Sequence, residues 1–457
     1  MKLVTSVLLS FFLSFAVLAN NSSSTNRFIL KNVNVIDVEH QDILTNQNIL
    51  VENGKIKFIT SQSFGKKDQI KTKPNINVID GKGGYITPGL IDMHVHIYEK
   101  AAYALTLSHG VTHVRIMNGV PAQLTWRDQI EQGSLIGSSS SVSSPIISGF
   151  QDAYLHRTVL DAESARQSVN EFHNAGYDLI KAYGNLTQPA LSALVDESRK
   201  LGIPVAKHGP HGSGDMHVSE LSGLQSFEHI EDIYQGPLNY ERSTDKLPPI
   251  IADIKNTQVA ITPTLNIFYQ LTKISVEKEQ YLSKTAKHYT SDIIALEAST
   301  NQIERWLNAS DNMAKHNLST LSFLQQITNE FHLAKVPLLV GSDSGVLLSP
   351  HGLATHNEMR LLNESGLSTF DVLTAATING AKALKLDDKI GKIAHQYQAD
   401  FIYTTTNPIE DLSVLVEPNA VVKHGKWYSA ETLKRMRDEA IESRSFWEEL
   451  SVLMAGL

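Results

Sequence analysis

Five stretches of this chain end an apolar run on a side chain able to hold a metal ion. Asp92-Met93-His94-Val95-His96 sets two imidazoles two residues apart, so on an extended strand His94 and His96 share one face. Leu179-Ile180-Lys181-Ala182-Tyr183 carries a lysine inside an apolar run, with Tyr183 on the same face as Lys181. Val205-Ala206-Lys207-His208 and Ser226-Phe227-Glu228-His229 each close on a histidine, and Val340-Gly341-Ser342-Asp343 closes on a carboxylate. A lone His-x-His is as readily a pair of surface histidines; five such endings, spaced by about one strand-plus-helix unit where they follow closely, are not. With no cysteine in the chain, the donors are nitrogen and oxygen, a set that suits zinc and also admits manganese, cobalt or iron. Ions held there would acidify a water and polarise a carbonyl.

Such endings need a scaffold that brings them to one place. From residue 86 to residue 386 the chain alternates strand and helix patterns, with eight candidate strands at Leu90–His96, Val111–Met117, Pro145–Gly149, Tyr177–Tyr183, Ile203–His208, Gln225–His229, Gln258–Pro263 and Pro337–Asp343. Eight parallel strands alternating with helices over roughly 250 residues or more fit an α/β fold of the (β/α)8 TIM-barrel type, whose strand C-termini line one mouth. The seventh connection, Leu265 to Lys335, is long enough for extra helices, and Ser138–Ser144 reads as a polar loop. Short alternating patterns before residue 86 and after residue 395 predict antiparallel strands from both chain ends, joined in one small β-sandwich. The expected division is a signal peptide over 1–19, the sandwich over 27–86 and 395–430, the barrel over 87–390 and a C-terminal helix over 431–457.

Composition narrows the function. Forty basic against 48 acidic side chains give a net charge of -8, so no cationic excess exists to displace counterions from nucleic acid. The missing cysteines exclude disulfides, iron-sulfur clusters and a thiol nucleophile. Lys2, the apolar run Val7–Leu18, and the small residues Val17 and Ala19 form an export signal with cleavage before Asn20, which predicts a periplasmic or secreted protein. That run is short for a bilayer span and no other is longer, so no stable membrane span is expected after cleavage. Association into a homo-oligomer is compatible with this composition.

Gly84-Tyr85-Ile86-Thr87-Pro88-Gly89-Leu90-Ile91-Asp92 with His94 and His96, Glu228-His229, and Gly341-Ser342-Asp343 resemble the amidohydrolase superfamily of metal-dependent hydrolases. Ile180-Lys181-Ala182-Tyr183, His208 and Pro350-His351-Gly352 with His356-Asn357-Glu358 are similar to its imidazolonepropionase-like and Xaa-Pro dipeptidase-like branch. The resemblance implies two divalent ions bridged by a CO2-derived carbamate on Lys181. His94, His96, Lys181 and Asp343 would hold the buried ion; Lys181, His208 and His229 would hold the outer one. It further implies hydrolysis of a C–N amide bond by a bridging hydroxide, with Asp343 as general base then general acid and Tyr183 against the substrate or the oxyanion. The small-molecule substrate implied is a dipeptide or an N-acyl amino acid. A cyclic amide on the same site and a non-catalytic metal-dependent binder are the competing readings.

Several neighbours carry weaker signals. His156 and Arg157 follow strand three and could meet a substrate carboxylate, although a surface arginine is the commoner outcome. Relatives with Gly-Gly-His after that strand differ from Gly149-Phe150-Gln151 here. Alternation points Glu228 away from His229, into the packing layer. His351 and His356 are equally open to structural and substrate roles, and the other histidines, His109 and His211 among them, lack strand-end placement.

Overall fold

The computed structural model describes residues 27–62 and 76–456, so the expected signal peptide lies outside the described residues. Both chain ends build one eight-stranded sheet. Its order runs Lys426–Ser429, Ala420–Lys423, Phe401–Thr404, Tyr85–Pro88, Arg27–Asp37, Asp42–Glu52 and Lys55–Thr60, with Asn77–Asp80 also on Arg27–Asp37. The pairing is not wholly antiparallel: Asn77–Asp80 and Tyr85–Pro88 run parallel to Arg27–Asp37. Nor are there two separate sheets. One continuous sheet curls over a shared apolar face, where Phe28, Leu30, Val33, Ile49, Val51, Ile56, Phe401 and Val422 form one buried cluster. The curl brings two turns together: a β-carbon on Gly425, whose φ is 74°, would stand 2.8 Å from the Gly54 Cα. No residue with a side chain fits there without displacing backbone.

Between these ends lies an α/β core of parallel strands flanked by helices. Leu90–Val95, Val111–Ile116 and Ser139–Val142 form one parallel sheet; His156–Thr158, Ile146–Ser148, Ile180–Ala182, Val205–His208, Ser226–Glu228 and Ala260–Thr262 form another. Parallel bridges Ser143 to Leu179, Ile261 to Leu338 and Val95 to Ser344 connect the pieces. Residues 337–343, expected as a strand, pair only through such bridges and backbone hydrogen bonds, among them Met93 N to Val340 O and Asp343 N to His94 O, both 2.8 Å. The left-handed backbone of Asp343 interrupts a regular ladder. Ser138–Ser144 is no loop. Its serines are small enough to pack against Val111–Ile116, and two of their hydroxyls find partners there, Ser138 Oγ donating to Val111 O at 2.6 Å and Ser139 Oγ to Glu131 at 2.7 Å.

The flanking helices follow their sequence signals. Ala162–Ala175 starts where Asp161 accepts from Ser164 N, and Gln188–Leu201 starts where Thr187 accepts from Ala190 N. The long seventh connection holds five α-helices, Leu265–Glu277, Glu279–Leu282, Asp292–Ala298, Glu304–Leu307 and Asp311–Leu333. The tail expected as one helix is two, Ala430–Glu442 and Phe446–Ala455. Arg444 sits at the break because its guanidinium reaches Glu99 at 2.8 Å and the carbonyls of His288, Tyr289 and Thr290. No described helix is long and apolar enough to cross a membrane.

Candidate metal centre

The parallel core is built in layers. Ile91, Met93, Ala260 and Leu339 form an apolar plug low in the strands. Above it lie buried charges: Arg115, fully enclosed, donates to Met93 O, Gln225 Oε1, Ser226 Oγ and, at 2.7 Å, to Glu228. Glu228 in turn accepts from Ser226 Oγ and meets His94 Nδ1 at 2.8 Å. With that proton held by Glu228, Nε2 of His94 is left free on the far side of the ring.

Three local departures from regular backbone aim the donors. A register shift between Asp92 and Val95 re-aims strand one, so both histidines reach the site. His229 and Asp343 have φ of 69° and 53°, a region sparsely populated by residues with side chains. Register explains why His229 needs it. Lys181, Ala206 and Ser226 pair in line across the sheet, and His208 pairs with Glu228, so Glu228 takes the interior face by alternation. The expectation that Glu228 faces away from the site is therefore wrong; the chain turns left-handed to swing His229 in after it. Residues in such conformations are held by their surroundings, and they gather at functional sites.

The donors converge. Ligand atoms of His94, His96 and Asp343 all lie within 4.8 Å of one another, Asp343 Oδ1 being 3.0 Å from His96 Nε2 and 3.5 Å from His94 Nε2. The ring centres of His94 and His229 are 4.8 Å apart, those of His229 and His208 4.4 Å, and those of His208 and Tyr183 4.1 Å. His229 turns Nδ1 to Thr264 Oγ1 at 2.7 Å. Lys181, 1% exposed, lies beside Glu228, Arg115, Asp343 and Asp232. Lys181 Nζ, His208 Nδ1 and Asp343 Oδ1 are buried without a hydrogen-bond partner. Buried orphan atoms of this kind are costly unless something else binds them, and lone pairs from two histidines and a carboxylate directed at one point suit a divalent cation.

Protonation fits the same purpose. Burial holds the imidazoles of His94, His208 and His229 below their ordinary range, His229 down to about 3, so each is neutral and able to ligate. Burial would raise the Asp343 carboxyl, but the adjoining His94 and His96 outweigh it and carry it below the usual carboxylate range. Burial also lowers Lys181 to about 8.

Other neighbours sort differently from their sequence signals. Arg157 pairs with Glu171 at 2.6 Å on the surface, whereas His156 stands edge-on to Tyr183, ring centres 5.4 Å apart. His351 meets Ser344 Oγ at 3.0 Å beneath the site, and His356 bonds the His109 carbonyl at 2.8 Å, a structural use. Arg115, Glu228 and Asp232 were missed as site residues. An arginine in the middle of an apolar strand, Val111-Thr112-His113-Val114-Arg115-Ile116, was the signal for a buried carboxylate partner.

Residues 85–428 match the amidohydrolase family. A 5-methylthioadenosine/S-adenosylhomocysteine deaminase of Clostridium tetani is 21% identical over 425 residues, covering 84% of this chain and 87% of that protein. Among solved structures, bottromycin amidohydrolase superposes with a TM-score of 0.75 at 20% identity, covering 92% of this chain and 90% of that one. A Xaa-Pro dipeptidase with bound methionine in its active site gives 0.66 at 19% identity, covering 88% and 100%. At these identities the structural likeness is one of fold.

Proposed function

The chain belongs to the amidohydrolase family and is a metal-dependent hydrolase acting on a C–N bond, and from that premise we propose an exported, binuclear enzyme that hydrolyses the amide of a dipeptide or N-acyl amino acid. The parallel strands, with residues 337–343 as the eighth, would close as a (β/α)8 barrel over 87–390, and the curled terminal sheet would serve as the small β-domain. One observation carries the reading: Asp343, His94 and His96 converge without mutual hydrogen bonding while the buried Lys181 amine beside them has no partner.

His94, His96 and Asp343 would hold one ion and His208 and His229 the other, with Lys181 between. The lowered pKa of Lys181 leaves part of the amine neutral, and a neutral amine adds to CO2 with release of one proton. The resulting carbamate would replace an unpaired cation by a bridging anion. Two such ions, with a donor set that suits zinc, would supply an acidified water and a polarised carbonyl. Asp343, ionised and at the mouth, accepts the water proton and passes it to the departing amine. Tyr183, half-buried beside His208, would donate its hydroxyl proton toward the developing oxyanion.

The dipeptide choice draws on the likeness to the Xaa-Pro dipeptidase. The near full-length likeness to the Clostridium tetani deaminase favours a second reading, hydrolytic removal of an amino group from an adenosine-like ring. Elemental analysis followed by assay of dipeptides, N-acyl amino acids and 5-methylthioadenosine decides between them. Two ions per chain with release of an amino acid supports the proposal; ammonia from the nucleoside alone, or metal-loaded protein inert on every amide, overturns it. N-terminal sequencing of protein recovered from the cell envelope tests cleavage before Asn20.

A further inference from the structure

Asp232 lies three residues beyond His229, in the short helix Glu231–Gln235, and is 9% exposed. Its Oδ2 sits 3.1 Å from Nε2 of His208, yet this buried oxygen has no properly directed hydrogen bond. The other nitrogen of that imidazole, Nδ1, is likewise buried and unpartnered.

The backbone is shaped to permit this approach. Gly209, directly after His208, has a φ of 76°, and a β-carbon on it would stand 2.9 Å from Asp232 Oδ2 and 2.4 Å from the His211 ring. Lys207 fixes the same turn, its Nζ donating to the carbonyls of His208 and Gly209 at 2.9 Å each. Two other histidines of the site have an equivalent arrangement, one ring nitrogen engaged by an oxygen and the other left free. His94 uses Glu228, and His229 uses Thr264. His208 is the third, and Asp232 is the oxygen that faces it.

We propose that Asp232 is the positioning residue for His208. Its carboxylate accepts a hydrogen bond from Nε2–H, which fixes the tautomer, leaves Nδ1 as the ring atom with a free lone pair, and thereby sets the occupancy of the outer of two cation positions. This rests on the binuclear reading. Glu228, His229 and Asp232 then act together. Five consecutive residues supply one ligand and orient histidines from two other strands.

The test is metal stoichiometry and chelator competition on the full-length protein, with Zn2+ or Co2+ as the probe. Wild type should hold two ions. Asp232→Asn keeps the shape and removes the charge, and should weaken one of the two about 10–100-fold; Asp232→Ala should hold a single ion at the same protein concentration. Asp232→Glu should restore part of the second. Circular dichroism and the melting temperature of each metal-free variant establish that it is folded, and Asp232→Asn serves if Asp232→Ala is not. Folded Asp232→Asn and Asp232→Ala proteins with both ions at wild-type chelator resistance would overturn the inference. A wild-type protein that binds one ion at saturation overturns instead the binuclear reading beneath it, and does so before any variant is made.

Discussion

Asp343 illustrates how much one side chain is asked to do, since it faces two imidazoles and retains its charge in a buried setting. Asp343→Asn should cut turnover about 10²–10⁴-fold while most metal stays bound, measured by kcat alongside elemental analysis. Lys181→Ala should lose bridging and activity together. Added short carboxylic acids should recover part of both, because a free carboxylate can occupy the space of the missing anion. Glu228→Gln strands the fully buried Arg115 guanidinium, so unfolding in denaturant should show a loss of about 3–5 kcal/mol, with weaker metal retention through His94. At this scale the ligand types were legible in the sequence. His94, His96, Lys181, His208, His229 and Asp343 stand out as polar endings of apolar runs. Glu228 and Asp232 were not legible: that Glu228 and its neighbour His229 both face inward depends on the left-handed φ of His229, which no side-chain pattern encodes, and Asp232 lies past the strand, in the helix Glu231–Gln235.

Elements with strong periodicity were equally plain. The helix Gln188–Leu201 falls where the helix pattern between two strands predicts one, and it ends at Gly202 in the left-handed conformation. Ser139–Val142 was obscured because serine reads as loop material; its fitness for a strand comes from the hydroxyls of Ser139 and Ser141, bonded to Glu131 and His113 on neighbouring elements, which is tertiary information. The C-terminal break at Ser443–Ser445 joins a local signal, Ser445 capping the second helix by accepting from Glu448 N, to the tertiary anchoring of Arg444 on the distant Glu99 and the carbonyls of 288–290. Arg444→Ala should therefore loosen Phe446–Ala455 from Glu99 and residues 288–290. Limited proteolysis near residue 444 should accelerate, while the melting temperature moves little. Gly425→Val, by contrast, forces a side chain into the Gly54 backbone and a left-handed φ on a β-branched residue. It should cost about 1–3 kcal/mol or more, read as a lower denaturant midpoint with unchanged metal affinity.

Over the whole molecule, acid stability follows from histidines held neutral by burial. His109 is pushed down to about 3 and His356 to about 4, far below the 6.5 they regain on unfolding. Between those values the unfolded chain binds more protons than the folded one. Stability should thus fall as pH drops from about 6.5 toward 4, visible as a decreasing melting temperature. His109→Gln should flatten that dependence, because one proton fewer is taken up on unfolding.

The sheet shared by both chain ends also governs timing. Arg27–Asp37 and Tyr85–Pro88 are synthesised early, but Tyr85–Pro88 pairs along its other edge with Phe401–Thr404. A ribosome must therefore release nearly the entire polypeptide before that edge is covered. Fragments stopping short of residue 401 should stay open to proteases.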